Sequence, residues 1–473
     1  MADVINVRRS RFALPIICLA QLMATLDVTI VNLALPAIQH NLNLSNAGLA
    51  WVIDAYTLGY AGLLLVGGRT GDLIGYRRTL AMGISIFTAS SLLGGMAQSP
   101  TVLLAARAGQ GIGAAMATPT TLALISTLFP AGPSKSRAMV AYGAMAGLGI
   151  TLGLVLGGVL TQIGDWHWVF LVNVPIGLGL LVVAPRVLPE SRGVRRRIDF
   201  AGAAVGTAAI TSLVYGVIRA GTNGWGDRIS ITALVVAATL TVTFARVEKA
   251  AAEPMLPPQL LRNRTRLSAY IIAGLLFACL YPAFFFLSRT VQDVMGEGPI
   301  QCGVRFLPLG AGVLIFAVIA RRLLVTMGPT PLVIAGTVAT GVATVALVFL
   351  KPETPYVYLF LPGVIGLGAG VGTTFVANTV MAMNDVAEQD AGIGSGLLST
   401  FQAVGGTIGV AALASIAATR TRNALHAGVS QHDALMEGFT RGLAIAATLA
   451  LLAVLVALIP QPDMRNQKRT AVS

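Results

Sequence analysis

Apolar residues fall in long runs along this chain, each near twenty residues, and short segments carrying most of the charge separate them. A helix needs about 20 mostly apolar residues to cross a bilayer. Fourteen stretches meet that length, from 13–35 and 48–68 at the start to 393–418 and 438–459 at the end. The seventh and eighth, 200–219 and 229–247, are short and Ala-rich, so twelve spans plus two peripheral segments is the rival count. The pattern predicts an all-α polytopic membrane protein. The first run contains Gln21, Asp27 and Asn32 and is longer than a signal-peptide core, so it reads as a retained helix.

Composition narrows the class further. Of 473 residues, 55% are hydrophobic and only 11% are charged, less than half the roughly 25% usual in soluble domains. That excludes a soluble enzyme, a nucleic-acid-binding domain and a disordered chain. The net charge of +13 is distributed between the apolar runs and forms no stripe, so it calls for no nucleic-acid partner. With the N-terminus on the cytoplasmic side, 23 of the 32 Lys and Arg fall on the inner face and seven on the outer, leaving Arg107 and Arg305 within the spans. This bias places both termini in the cytoplasm and makes the span count even. Cys18, Cys279 and Cys302 are widely separated, and the four histidines form no ligand spacing, so no metal or disulfide framework is expected. The Gly-rich stretches around Gly109 and Gly366 lack the Lys-Ser/Thr of a phosphate loop. No cofactor is expected, and energy has to come from an ion gradient.

A weak repeat runs through the chain. Arg69, Gly75 and Gly83 recur as Arg322, Gly328 and Gly336 at a constant offset of 253, and Gly111-Ile-Gly113 has a loose echo in Gly366-Leu-Gly368. The organisation this suggests is an N-terminal six-helix bundle over 1–190, two extra helices with cytoplasmic loops over 191–266, and a C-terminal six-helix bundle with a short tail over 267–473. Repeated halves around a midplane cavity are the architecture of many secondary transporters.

Nearly all of the 19 acidic residues map to loops or helix ends; Asp27 and Asp54 do not. An ionised Asp at mid-bilayer costs about 2.5–3.5 kcal/mol on insertion scales, so such residues face a cavity or a partner. Counting residues from the run ends puts Asp27, Asp54 and Arg107 at a common depth, roughly 8–14 Å below the outer surface at the helical rise. A nearby guanidinium favours the charged carboxylate and burial the neutral acid, and exchange between those environments is what proton coupling requires. A static ion pair is the alternative for Asp27 and Arg107, and a wet, cation-attracting vestibule is the alternative for Asp54.

Six stretches carry a family resemblance. Gly68-Arg69-Thr70-Gly71-Asp72-Leu73-Ile74-Gly75-Tyr76-Arg77-Arg78, read as the loop between the second and third helices, resembles motif A of the major facilitator superfamily. Leu103 with Arg107-Ala108-Gly109-Gln110-Gly111 resembles motif B. Gly149, Gly153, Gly157 and Gly158 stand as in motif C, the antiporter motif. The stretch Leu26 to Pro36 resembles the first-helix signature of the fourteen-helix drug:proton antiporters, and Trp51 to Leu58 and Trp168 to Gly177 also fit that family. The resemblance is dense from about residue 26 to 200 and thinner beyond. Two departures stand out: Leu154 replaces the usual motif C proline, and His167 stands where arginine is common.

The resemblance implies a major facilitator fold, two six-helix bundles plus two extra helices, about fourteen transmembrane helices in all. It implies that Arg107 serves proton coupling, joining Asp27 and Asp54 as the proton-coupling candidates read from their depth, and that Gly68, Asp72, Gly75, Arg77 and Arg78 gate the cytoplasmic side through Asp72 at a helix end of the other half. It further implies that Gly149, Gly153, Gly157 and Gly158 pack the fifth helix closely against its neighbour. Candidate cavity residues are Asn32, Tyr56, Asn378, Phe401 and Gln402, with Phe284, Phe285 and Phe286 as a further aromatic run. The function implied is a proton-coupled exporter of small hydrophobic, often cationic, drug-like compounds in the cytoplasmic membrane, working as a monomer on the proton gradient. The alternatives are a dedicated exporter of a metabolite or antibiotic, a proton-coupled importer and, remotely, a polytopic membrane enzyme.

Overall fold

The computed structural model describes residues 2–44, 46–130, 133–163, 165–189, 199–251 and 254–459. Every regular element among them is helical: α1 (Ala2–Asn41), α2 (Asn46–Ile74), α3 (Tyr76–Gly95), α4 (Pro100–Leu128), α5 (Pro133–Ile163), α6 (Trp168–Leu171), α7 (Asn173–Val187), α8 (Phe200–Asn223), α9 (Arg228–Ala250), α10 (Pro258–Arg262), α11 (Arg264–Arg289), α12 (Pro299–Met327), α13 (Pro329–Val348), α14 (Phe360–Ala382), α15 (Ala391–His426) and α16 (Gln431–Ala457). Twelve segments among the described residues are long and apolar enough to cross a membrane, with α6 and α7 counting together as one. Two more, α3 with 20 residues and α5 with 31, have matching length and pack along α4 and α1. Fourteen long helical segments therefore lie side by side.

The sixth apolar run, α6 with α7, is one span: Val172 between them keeps helical dihedrals (φ −58°, ψ −29°) and its N–H donates to the Trp168 carbonyl at 3.0 Å, and Pro175, three residues on, only removes one bond to the preceding turn. The run expected from residue 79 starts earlier, at Tyr76, and the segment read as a Gly-rich loop is helical as far as Ile74. Only Gly75 leaves the helix, with φ 97°, and Gly328 makes the matching turn between α12 and α13 with φ 80°. These are left-handed conformations that glycine adopts without a Cβ clash.

The two halves share one packing scheme. In the N-terminal bundle α1 packs on α5, α2 on α4, α3 on α4 and α7, and α1 on α7. In the C-terminal bundle α11 packs on α15, α12 on α14, α13 on α14 and α16, and α11 on α16. Each contact in one bundle thus has its counterpart in the other. The bundles meet along two seams, α2 with α15 and α5 with α12, which pair the second helix of each bundle with the fifth of its partner. The α8 and α9 hairpin lies outside both bundles, and α8 touches α2 and α15 together. A turn closed by Arg219 and Asp227 joins the hairpin (Nε to Oδ2 2.7 Å). That hydrogen bond, with one from the Ser230 N–H, pushes the Asp227 carboxyl down to about 2. Its stabilisation is present above the usual 3.8 and is lost as the pH falls through about 2.

Small residues let the helices approach backbone to backbone, as helix contacts in lipid require. A Cβ on Gly113 would sit 2.6 Å from the Gly83 carbonyl oxygen, and one on Gly370 would sit 2.7 Å from that of Gly336. On the opposite side of α4, a Cβ on Gly111 would sit 2.2 Å from the Tyr56 carbonyl, and on α14 one on Gly368 would sit 2.4 Å from that of Leu309. The structural counterpart of Gly111-Ile-Gly113 is therefore Gly368-Ala-Gly370. The echo read at Gly366 and Gly368 was two residues out of register, because Gly366 faces Ala343 instead.

Gly113→Val puts a side chain into backbone on α3 and is expected to cost about 1–3 kcal/mol. Gly179→Ala has nothing within 4 Å of the new methyl and is expected to be neutral. Thermal unfolding of the purified protein in detergent distinguishes the two: the first variant melts below wild type and the second with it.

Candidate functional site

At the centre of the N-terminal bundle lies a dry polar cluster built from five helices. Asp27 comes from the middle of α1, and Arg107 and Gln110 from one face of α4, three residues apart. Ser91 comes from α3, Asn173 is the first residue of α7, and α2 contributes the Val52 carbonyl and the Tyr56 ring. Arg107 Nη1 donates to Asp27 Oδ2 at 2.6 Å and to Gln110 Oε1 at 2.9 Å, while its Nε donates to the Val52 carbonyl at 2.9 Å. The Arg107 guanidinium lies 4.6 Å from the Tyr56 ring centre. Asp27 Oδ1 accepts from Gln110 Nε2 at 2.7 Å and from Asn173 Nδ2 at 2.9 Å, and Gln110 Nε2 also reaches Ser91 Oγ at 2.8 Å. Asp27, Gln110, Asn173 and Ser91 are fully buried, and Arg107 is 1% exposed. A buried ion pair persists only when further hydrogen bonds satisfy its remaining lone pairs and protons, and the two amides and two backbone or ring partners do that here.

Asp54 does not join this cluster. It is half-buried on α2 and has neither a hydrogen bond nor an ion pair among the described residues. The common depth read for the three charges brings together Asp27 and Arg107 only. Gln110 and Asn173 lie inside the motif B and Trp168 to Gly177 stretches, but nothing along the chain marks their side chains as closing on Asp27.

A second cluster ties the bundles together at the end of α2. Asp72 Oδ1 accepts the Gly392 N–H at 2.8 Å and Oδ2 the Ile393 N–H at 3.0 Å, both at the start of α15. Those N–H groups have no partner within their own helix, and the helix dipole there favours an anion. The Tyr76 hydroxyl donates to Asp72 Oδ1 at 2.7 Å, and Arg69 lies 3.9 Å from Asp72 and 3.8 Å from Asp390. Gly68 and Gly392 press backbone on backbone: a Cβ on Gly68 would sit 2.3 Å from the Gly392 oxygen. Arg77 reaches away from this lock, donating to the Pro185 carbonyl at the end of α7 at 3.2 Å, and Arg78 is exposed. Ser395 of α15 adds a bond to the Pro119 carbonyl of α4 at 2.7 Å.

The glycines of α5 form a third element. Cβ atoms on Gly149, Gly153 and Gly157 would collide with Thr25, Thr29 and the Ile30 carbonyl of α1. Thr29 Oγ1 donates to the Gly149 carbonyl at 3.0 Å. Gly158 turns the other way, toward Ile300 of α12, so α5 wedges between the bundles. The side chain of Leu154 lies outside the described residues. His167 stacks on Trp166, and its Nδ1 lies 2.8 Å from Asp165 Oδ2.

The five candidate cavity residues do not converge on one space. Tyr56 is buried against Arg107. Asn378 is buried too and donates to the Ala269 carbonyl at 2.9 Å, joining α14 to α11. Phe401 stacks on Tyr270, Gln402 is half-buried, and Asn32 is exposed and bonded to its own helix. Phe284 and Phe286 pack within the C-terminal bundle against Phe306 and Phe439.

Comparison with known proteins follows from this geometry. A family profile described as Major Facilitator Superfamily matches residues 17–410. The chain is 38% identical over 458 residues to the puromycin resistance protein pur8 of Streptomyces alboniger, covering 95% of this chain and 91% of that one. It is 34% identical over 467 residues to the lincomycin resistance protein of Streptomyces lincolnensis, covering 98% and 94%. Among solved structures it superposes on the human organic anion transporter MFSD10 (TETRAN) with a TM-score of 0.66 at 16% identity, covering 95% of this chain and 99% of that one. The proton:xylose symporter XylE gives the same TM-score at 13% identity, covering 96% of this chain and 97% of that one.

Removing one member of a buried ion pair costs about 3–5 kcal/mol, whereas replacing both by apolar groups is often neutral. Arg107→Leu is therefore expected to melt well below wild type, and the double variant Asp27→Leu with Arg107→Leu above the single. A double variant no more stable than Arg107→Leu would show that the pair is not coupled as drawn.

Proposed function

The chain belongs to the major facilitator superfamily, and from that premise we propose that it exports hydrophobic, drug-like compounds across the cytoplasmic membrane in exchange for protons. It is a secondary transporter and not an enzyme, and relatives of nearly full length are named for puromycin and lincomycin resistance and for cephamycin export. The observation that carries proton coupling is the Asp27 site, a carboxylate sealed from water and held against Arg107 in one of the two bundles.

The export cycle follows from the two seams. The Lys and Arg bias makes the end holding Asp72 the cytoplasmic one, with both termini there. With Asp72 seated on α15, the cytoplasmic side is closed, and release of that lock lets the bundles rock about α2 with α15 and α5 with α12. Protonation of Asp27 removes the charge that holds Arg107 and alters the packing of all five helices that meet there. Substrate enters between the bundles, which are related by their common packing scheme, and the hairpin is a separate unit between them. The chain works as a monomer and draws on the proton gradient alone.

Exchange of one proton for one monovalent cation is electroneutral. A second proton, for which Asp54 is the candidate, adds the membrane potential at about 2.3 kcal/mol per charge per 100 mV, nearly fifty-fold in accumulation. A narrower reading, a dedicated exporter of one antibiotic, has the support of the relatives named for single compounds.

The test uses inverted vesicles with a respiration-generated pH gradient, challenged with ethidium, puromycin and lincomycin. Wild type is expected to release protons on addition of a transported compound, and Asp27→Asn to release none. Asp72→Asn, which gives up the charge on the α15 N-terminus, is expected to slow turnover without abolishing coupling. Full proton release by Asp27→Asn would place coupling elsewhere, and silence of wild type with every compound would favour uptake or an untested metabolite.

A further inference from the structure

Every group touching the Asp27 carboxylate in this structure is a donor. Oδ2 receives Arg107 Nη1, and Oδ1 receives Gln110 Nε2 and Asn173 Nδ2. That shell suits the ionised acid. The neutral acid gains an O–H and needs an acceptor. Of the other acceptors in the cluster, Gln110 Oε1 and the Val52 carbonyl each already accept a bond from Arg107, and Ser91 Oγ one from Gln110. Asn173 Oδ1 is buried and accepts nothing, although the nitrogen of the same amide lies 2.9 Å from Asp27 Oδ1.

We propose that Asn173 is a positioning residue that follows the protonation state of Asp27, rotating its amide half a turn so that Oδ1 replaces Nδ2 opposite the carboxyl. This rests on the proton-antiport reading above. A proton entering the site bonds to Asp27 Oδ1, the N–H···O contact from Asn173 breaks, and the new O–H donates to Asn173 Oδ1. Return of the proton reverses both changes. An amide is suited to this because its oxygen and nitrogen are nearly identical in size and shape while opposite in hydrogen-bonding sense. The exchange also leaves one amide atom without a partner in either state, so the flip does not favour one state by stranding an extra polar group.

The charged or titratable groups facing Asp27 are Arg107 of α4 and Tyr56 of α2, whose ring lies against the Arg107 guanidinium. Arg107 has donors alone and cannot accept the carboxyl proton's bond. Asn173 is the first residue of α7 in the sixth span, and its amide nitrogen lies 2.9 Å from Asp27 Oδ1.

The test is pH-difference infrared spectroscopy on the full-length transporter in lipid, together with ethidium-driven proton release. Wild type is expected to show the carbonyl band of a hydrogen-bonded neutral carboxyl that disappears in Asp27→Asn. In Asn173→Leu, similar in size but without polar atoms, the band is expected to move to the higher wavenumber of an unbonded acid, and proton release to fall about fivefold or more, the consequence of one lost buried hydrogen bond. Asn173→Ser, whose hydroxyl is too short to reach, is expected to behave the same way and serves if the leucine variant does not fold. An unmoved Asp27 band in the Asn173 variants overturns the proposal while leaving antiport intact. Absence of any Asp27-dependent band in wild type overturns both.

Discussion

An ion pair between Asp27 and Arg107, sealed inside a helical bundle that lies within lipid, is the constraint around which the N-terminal half is arranged. Neither charge has water to fall back on, so each hydrogen-bonding direction has to be met by protein. Arg107 alone calls on the Val52 carbonyl, Gln110 and Asp27, and Asp27 calls on Gln110 and Asn173. Those partners sit on α1, α2, α4 and α7, with Ser91 of α3 behind them. A change in charge at one carboxylate is therefore felt at once by five of the six spans of that bundle. Under the proposed antiport, a proton binding at Asp27 acts through these shared contacts on the whole bundle.

The same bundle is held together by contacts that tolerate little adjustment. At the seams and between neighbouring helices, glycines bring backbone against backbone, as Gly68 does on Gly392 and Gly113 on Gly83. Packed surfaces of this kind move as units or not at all. The lock between Asp72 and the start of α15 has a different character, since its charge-assisted bonds to Gly392 and Ile393 can be broken and remade without repacking a core. Rigid halves joined by a polar latch give the combination that alternating access needs. In the proposed cycle, energy is applied at the latch and at Asp27 while the bundles keep their shape.

The elements legible in the sequence were those whose chemistry is out of place in lipid. Asp27 and Arg107 stand out because a charge in an apolar run is expensive, and Gly75 and Gly328 stand out because they recur at one offset and both turn a chain between adjacent spans. What was not legible depends on helix rotation. Gln110 and Asn173 are neutral amides whose cost in an apolar run is modest, and nothing along the chain says which face they turn inward. The same uncertainty separates Asp54 from the Asp27 site despite its similar depth, and turns Asn378 onto the Ala269 carbonyl. The Gly-rich stretch before Gly75 read as a loop because glycine disfavours helices in water. Next to α15 its missing side chains serve close approach, and the helix continues to Ile74.

The hairpin of α8 and α9 bears on how far the halves can move. It is absent from the packing scheme that the two bundles share, yet α8 lies on both α2 and α15, across one of the two seams. Its far end is tied in as well: Glu248 of α9 accepts the Leu256 N–H at 2.8 Å, Met255 and Leu260 are buried in the core cluster, and Arg69 of the motif A lock reaches the Pro254 carbonyl at 3.4 Å. Rocking of one bundle against the other moves α2 relative to α15. A helix touching both must then slide along at least one of them. Glycines bring α8 close on both sides: a Cβ on Gly221 would meet Ala411 of α15, and one on Gly62 of α2 would meet Thr211 of α8. A hairpin so placed covers the α2–α15 seam, and the chain that follows it contacts Arg69 of the motif A lock.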